Sequence, residues 1–225
     1  MRQDGTHELA RNKSLLNAAL KRALDVAVSG TGLLLFSPVA AVIASAIWIA
    51  DPGSIFYGQE RVGRHGKKFK LWKFRSMRAL PAGGGPAITH GARDPRITPI
   101  GYYLRVTKLD EVPQLWNVLK GDMSLVGPRP EVEKYVRMYS ADQLRVLELR
   151  PGITDLTVMR GHLHDTSLLD GREDPECYYV RVLMPLKLRH NLEYLERQSW
   201  GLDLQILINT LLLLIRVKKN RPILP

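Results

Sequence analysis

The adjacent carboxylates Asp110 and Glu111 are the residues best placed to do chemistry in this sequence. They lie in the segment TKLDEVPQLWNVLKGDMSLVGPRP, residues 107–130. Arg105 precedes the pair, and Arg129 follows it within a Gly-Pro-Arg-Pro run whose prolines fix the backbone around the guanidinium. A rigidly held guanidinium near a helix N-terminus is typical of a site that binds phosphate.

The local sequence predicts where these carboxylates lie. Asp110 is a good N-cap, Pro113 falls in the first turn of the helix that follows, and Gly121 is a natural stop after Lys120. The carboxylates then lie where the chain changes conformation. The alternative is that Asp110 only caps the helix and Glu111 only interacts with its dipole.

Two further cations are predicted on a β-hairpin. The runs SIFYGQERVG and FKLWKFRSM flank a basic, glycine-containing loop, which indicates two antiparallel strands. Alternation along the second strand places Lys73 and Arg75 on the face that also carries Phe69 and Leu71. They either project together into a site or are two solvated surface charges.

An apolar segment, Ala23–Ala50, is long enough to enter a membrane, because a straight helix of its length exceeds the ~30 Å hydrocarbon core. Pro38, after Ser37, removes a backbone hydrogen bond near its middle and predicts a kink. Both flanks are rich in lysine and arginine, which places both on the cytoplasmic side. We therefore expect residues 21–50 to form a re-entrant helix broken at Ser37 and Pro38, after a basic lead-in over residues 1–20. An ordinary kinked transmembrane helix is the alternative.

The remaining residues, 51–225, are expected to form a cytosolic catalytic domain. Near its end, Leu202–Lys219 is apolar but too short to span a membrane and carries interrupting polar residues, so an amphipathic helix lying at the membrane interface is expected. A core helix is the alternative there. Pro185–Trp200 is predicted to be a further helix, with Pro185 at its start.

The composition restricts the partners and the chemistry. The chain has 225 residues and a formal net charge of +11, which predicts an anionic partner: nucleic acid, an anionic membrane leaflet or a phosphorylated substrate. The single cysteine, Cys177, excludes an intrachain disulfide and a multi-cysteine metal site. His162 and His164 have no third ligand at a recognisable spacing, so a metal site there is not expected.

Several segments occur in an order that resembles a known family. KRALD, QERVG, FKLWKFRSM, DPRITPIGYYLR, LDEVPQLWNVLKGDMSLVGPRP and RPGIT run from about Lys21 to Thr154, and a looser match continues to about Arg216. They resemble the bacterial sugar transferases, and more narrowly the small monotopic polyprenyl-phosphate phosphoglycosyl transferases. The sequence lacks the large N-terminal multi-pass region of bigger relatives and is expected to be a minimal catalytic unit.

The resemblance implies a fold and an activity. The fold would be α+β and mainly helical: a re-entrant membrane helix-break-helix, a small β-hairpin or sheet, and a cytosolic catalytic domain with interfacial amphipathic helices. The enzyme would move a phospho-sugar from a UDP-sugar to polyprenyl phosphate, usually undecaprenyl phosphate, and release UMP. This step initiates assembly of lipopolysaccharide O-antigen, capsule, exopolysaccharide or glycoprotein glycans at the bacterial inner membrane.

The resemblance also implies roles for residues. Asp110 would be the nucleophile, giving an aspartyl-phosphosugar, and Mg²⁺ would be held by Asp110 or Glu111. Substrate phosphate would be bound by basic residues: Lys73, Arg75, Arg105 and Arg129. After RPGIT the sequence departs from a run common in relatives, and His162 stands where an arginine is common. Arg160 and His162 are the candidates for nucleotide or sugar contacts.

The expected partners follow from the same resemblance. They are a UDP-sugar, polyprenyl phosphate and anionic inner-membrane lipids, with no nucleic acid, and a homodimer is left open. Two other functions compete: a non-enzymatic basic module that binds membrane surfaces or nucleic acid, and a metal-dependent phosphohydrolase that releases free sugar phosphate without a lipid acceptor. Replacing Asp110 by asparagine separates the binding module from the enzymes.

Overall fold

A computed structural model describes residues 3–78, 94–160 and 174–220, and it is mainly helical. The described helices are α1 Gln3–Ala50, α2 Pro99–Val106, α3 Gln114–Lys120, α4 Glu133–Val136, α5 Leu156–Met159, α6 Pro175–Tyr178, α7 Met184–Arg197 and α8 Trp200–Asn220. The strands are β1 Phe56–Val62, β2 Lys68–Phe74, β3 Ser124–Val126 and β4 Gly152–Thr154. The prediction of a mainly helical chain with small sheets is confirmed.

The helix α1 is continuous through Pro38, so the predicted break at Ser37 and Pro38 is not present as an interruption of the helix. Pro38 has no N–H to donate to the carbonyl of Leu34, one turn earlier. The Ser37 hydroxyl donates to that carbonyl instead, at 2.8 Å. Because this carbonyl keeps a donor, the helix continues. The re-entrant path through a membrane stays a prediction.

The length and composition of α1 suit a membrane. The section Asn17–Ala50 is long and apolar enough to cross one, and only 11% of its most apolar window is buried in the described structure. Leu34, Leu35 and Ile49 are among its exposed side chains. The helix begins at Gln3, so the predicted basic lead-in is helical where it is described.

The first sheet is the predicted hairpin. β1 and β2 pair antiparallel, from Phe56 opposite Phe74 to Val62 opposite Lys68. Leu71 and Phe74 are buried beneath it. The hairpin therefore gives Lys73, next to the end of β2, a fixed position.

The second sheet is a short parallel pair, β3 and β4, at the centre of the main core. Their ends approach closely: a Cβ on Gly152 would lie 2.1 Å from the nitrogen of Gly127. Glycine is required where two backbones come this near. The core around these strands contains apolar side chains from most of the chain: Leu71, Val118, Met123, Leu125, Val126, Leu156, Tyr194 and Ile206.

Polar contacts fasten α1 to this core. The buried carboxylate of Asp25 accepts hydrogen bonds from the Leu125 amide at 2.9 Å and the Ser124 hydroxyl at 3.2 Å. Arg22, three residues earlier in α1, donates not to Asp25 but to the carbonyls of Val118 and Leu119 at the end of α3. Exposed helix-end carbonyls attract a cation.

The two predicted C-terminal helices are present, with Pro185 in the first turn of α7, but α7 ends at Arg197 and Trp200 belongs to α8. In α8, Asp203 and Ile206 are buried while Leu211, Leu212 and Ile215 are exposed. This helix therefore has an apolar face outside the core, and its position at a membrane interface stays a prediction.

Candidate active site

Asp110 and Glu111 lie in a single 3₁₀ turn, Leu109–Glu111, between α2 and α3. The prediction that Asp110 caps α3 is wrong: the helix begins at Gln114, preceded by Pro113, and has no side-chain cap. The predicted end is confirmed, with Lys120 last and Gly121 left-handed at φ 96°. Asp110 is buried in this turn, whereas Glu111 is partly buried.

Glu111 is bound by two cations. Its Oε1 accepts from Lys73 Nζ at 2.9 Å and from Arg129 Nη2 at 2.6 Å. Burial opposes ionisation of this carboxyl, but the charges of Arg129, Lys73 and Lys108 outweigh burial and hold the pKa of Glu111 well below its ordinary value. Glu111 is therefore an anion that fixes Lys73 and Arg129 in place.

Asp110 has the opposite character. Its Oδ1 is buried and has no hydrogen-bond partner in the part of the chain that the structure describes. Burial, and then the like charge of Glu111, raise the pKa of Asp110, against the opposing charges of Lys73, Lys108 and Arg105. Asp110 thus has a carboxylate oxygen that accepts no hydrogen bond from the described residues and is surrounded by positively charged side chains.

Sequence reasoning missed Lys108, which the structure adds to this shell. Its backbone is left-handed, at φ 59° and ψ 15°. Burial lowers its pKa, while the neighbouring carboxylates act in the opposite direction. The sequence signal was its position two residues before Asp110, where a lysine is easily taken for a surface charge.

The other predicted phosphate-binding residues differ in placement. The guanidinium of Arg105 contacts Met77 Sδ at 3.9 Å, and its charge acts on Asp110. Arg75 is not brought to the carboxylates: it donates to the Asp51 carbonyl and lies 3.6 Å from the Asp51 carboxylate. The physical reason is that β2 ends at Phe74, so the alternation that placed Arg75 beside Lys73 no longer applies.

The two candidates for nucleotide or sugar contacts lie further along the chain. Arg160, at the end of α5, forms an ion pair with Glu193 of α7 at 2.6 Å. His162 is outside the described residues. The structure therefore does not join Arg160 to the carboxylate pair.

A second layer of polar residues holds the backbone around Arg129. Arg61 of β1 donates to the Pro130 carbonyl at 3.2 Å and to Glu131 Oε1 at 3.1 Å. The Tyr179 hydroxyl donates to the other oxygen of Glu131. The segment that carries Arg129 is thus hydrogen-bonded to β1 and to the π-helical segment Tyr179–Leu183 that precedes α7.

The donor atoms suit a Mg²⁺ ion that is shared with a substrate. The described residues contain no cluster of three or more His, Cys, Asp or Glu side chains able to hold a metal. Mg²⁺ commonly binds one or two carboxylates and completes its shell with water and substrate phosphates. The unpaired oxygen of Asp110, with Glu111 beside it, fits that mode of binding.

Comparison with known proteins identifies the family of the chain. The model of a family described as bacterial sugar transferase matches residues 16–217. The UDP-glucose:undecaprenyl-phosphate glucose-1-phosphate transferase of Escherichia coli K12 is 36% identical over 200 residues, which are 87% of this chain and 40% of that protein. The chain thus spans less than half the length of that relative.

Two further relatives differ in length and in name. The exopolysaccharide production protein ExoY of Rhizobium meliloti is 35% identical over 208 residues, covering 85% of this chain and 83% of that protein. The undecaprenyl-phosphate galactose phosphotransferase of Salmonella typhimurium is 42% identical over 156 residues, covering 63% and 33%. The relatives include a glucose-1-phosphate transferase and a galactose phosphotransferase, so similarity alone does not identify the sugar.

Proposed function

The chain belongs to the bacterial sugar transferase family, and we propose that it transfers a sugar 1-phosphate from a UDP-sugar to polyprenyl phosphate, undecaprenyl phosphate in particular, with release of UMP. The observation that carries this proposal is Asp110: a buried carboxylate with an unpaired oxygen, beside a Glu111 already neutralised by two cations. The acceptor and the reaction come from the names of the relatives.

The arrangement suits a carboxylate nucleophile. An oxygen of Asp110 attacks the β-phosphorus of the UDP-sugar, the bond to the bridging oxygen breaks, and UMP leaves with that electron pair. An oxygen of polyprenyl phosphate then attacks the same phosphorus and restores the Asp110 carboxylate. Two displacements replace one direct exchange between two bulky anions.

The surrounding residues act by charge. Lys73, Lys108 and Arg105 supply positive charge around Asp110, where charge builds up on the transferring phosphoryl group. Asp110 and Glu111 would hold Mg²⁺ together with the diphosphate. When bound, the ion supplies charge screening for the diphosphate and the leaving UMP. Glu111 keeps Lys73 and Arg129 oriented.

The proposed reaction takes place at the surface of a membrane. A polyprenyl phosphate presents its phosphate at the headgroup level while its tail stays in the bilayer. The exposed apolar surface of α1 is suited to hold the catalytic part at that depth, on the cytoplasmic face where UDP-sugars are found. The charge of +11 also favours an anionic leaflet.

The test is a UMP-release assay with the full chain in detergent, undecaprenyl phosphate, Mg²⁺ and a panel of UDP-sugars. We expect one or more UDP-sugars to give UMP only when the lipid is present. Asp110→Asn should abolish release, while Asp142→Asn, at an exposed carboxylate, should retain it. Mass spectrometry of the protein, quenched with UDP-sugar but no lipid, should show a sugar-phosphate adduct on the peptide that contains Asp110.

Other outcomes would refute the proposal. Sugar phosphate released without the lipid would identify a phosphohydrolase instead. Retained turnover in Asp110→Asn would exclude Asp110 as the nucleophile. No lipid-dependent UMP with any UDP-sugar would refute the transferase itself.

A further inference from the structure

The cations around Asp110 and Glu111 differ in whether they already form an ion pair with a carboxylate. Lys73 and Arg129 both bind the same oxygen of Glu111. Lys108 lies close enough to sense the charges of Glu111, Asp110 and Arg129. Within the described ranges, its ammonium has no ion pair and no hydrogen bond. It is therefore a partly buried cation near the proposed nucleophile, and its donors have no partner among the described residues.

The backbone of Lys108 indicates that the position of this side chain is enforced. Its left-handed conformation is one that non-glycine residues rarely adopt, and the only other such residue in the described chain is His65, in the exposed hairpin loop. The Lys108 amide donates to the Arg105 carbonyl at 3.3 Å, and its carbonyl accepts from the Glu111 amide at 3.2 Å. Both peptide groups are thus fixed, and the turn that carries Asp110 fixes the direction of the lysine.

The residue type does not follow from the backbone. Glycine or asparagine would adopt this conformation with less strain, so a turn alone does not favour lysine here. Strained residues held by well-bonded surroundings cluster at functional sites. An ammonium whose donors have no partner in the described part of the chain, close to a carboxylate proposed to transfer a phosphoryl group, is suited to bind phosphate oxygens.

We propose that Lys108 binds a substrate phosphate group at Asp110, either of the donor's diphosphate or of the lipid acceptor. This rests on the proposed function and adds a phosphate-binding residue to it. In this division of roles Lys73 and Arg129 hold Glu111, whereas Lys108 contacts the substrate.

The test compares Lys108→Asn with Lys67→Asn, which removes the same charge from an exposed position in the hairpin loop. Asparagine tolerates the left-handed backbone, so the first variant removes the ammonium and leaves the turn intact. KM is measured separately for the UDP-sugar and for undecaprenyl phosphate. Loss of a charge-assisted hydrogen bond should raise one of the two about tenfold or more. Lys108→Arg should recover part of that loss.

A binding measurement keeps this test independent of turnover. In an Asp110→Asn background, dissociation constants are measured for UDP and for undecaprenyl phosphate in nanodiscs. Weaker binding of UDP assigns Lys108 to the donor, and weaker binding of the lipid assigns it to the acceptor. Constants equal to those of Lys67→Asn for both probes would overturn the inference, even if wild-type protein releases UMP. Unchanged KM values and dissociation constants, with a loss only of thermal stability or of kcat, would likewise overturn the assignment of Lys108 to substrate binding.

Discussion

The ion pair between Lys21 of α1 and Asp203 of α8 should make a measurable contribution to stability. Asp203 accepts from Lys21 Nζ at 2.5 Å and from the Tyr194 hydroxyl at 2.5 Å, and its side chain is only 10% exposed. Asp203→Leu removes both bonds and leaves a cation and a hydroxyl without the carboxylate. Breaking a fully buried pair in this way costs about 3–5 kcal/mol.

The structure lowers that figure. The side chain of Lys21 is 20% exposed, and its ammonium keeps the Val126 carbonyl at 3.0 Å as an acceptor. We therefore expect a loss of about 2–3 kcal/mol. For a chain of this size each kcal/mol lowers the Tm by about 2–4 °C, so the expected decrease is about 4–12 °C.

The assay is thermal unfolding of the full chain in detergent, followed by tryptophan fluorescence. Asp142→Leu is the matched control, because its ion pair with Arg145 is exposed to solvent and should change the Tm very little. The double variant Lys21→Met/Asp203→Leu should recover part of the loss, since no uncompensated cation remains. The reasoning would be refuted if Asp203→Leu had the same Tm as the control. It would also be refuted if the stability lost in the double variant equalled the sum of the losses in Lys21→Met and Asp203→Leu.

Two further predictions concern the site and the core. Glu111→Gln removes a like charge that raises the pKa of Asp110, and it leaves the charges of Lys73 and Arg129 uncompensated. Both effects lower the pKa of Asp110. The acid limb of the pH–rate profile should therefore move to lower pH. An acid limb that does not move would argue that Asp110 is not the group whose ionisation controls the rate. Gly152→Ala places a Cβ 2.1 Å from the backbone nitrogen of Gly127 and should destabilise the fold by about 3 kcal/mol or more, which would be measured as a loss of folded protein. Gly201→Ala is the control and should fold normally, because a Cβ at Gly201 would meet open space.

Features with a local cause could be predicted from the sequence. The hairpin has alternating strands around a basic loop, and α7 begins with a proline in its first turn. The end of α3 at Gly121 follows from glycine's freedom to adopt a left-handed conformation. Each of these signals lies within a few residues of the structure that it determines.

Features with a distant cause could not be predicted. Asp25 lies three residues after Arg22, yet its partners are about a hundred residues away on β3. The residues after Asp110 predict a helix that it would cap, yet in the structure Asp110 lies buried in a 3₁₀ turn before that helix. Lys108 could be recognised only once its backbone conformation and its surroundings were known.

The same long-range contacts connect the long apolar helix α1 to the candidate active site. Asp25 binds the Leu125 amide, and Lys21 binds the Val126 carbonyl, so α1 holds the backbone of β3 at consecutive residues. β3 leads directly into Gly127–Pro130, which carries the guanidinium that binds Glu111. The position of Arg129 relative to the acid pair is therefore fixed to the helix that would set the depth of the site in a membrane. A displacement of α1 would therefore be passed to the guanidinium of Arg129 through the three peptide units that follow Val126.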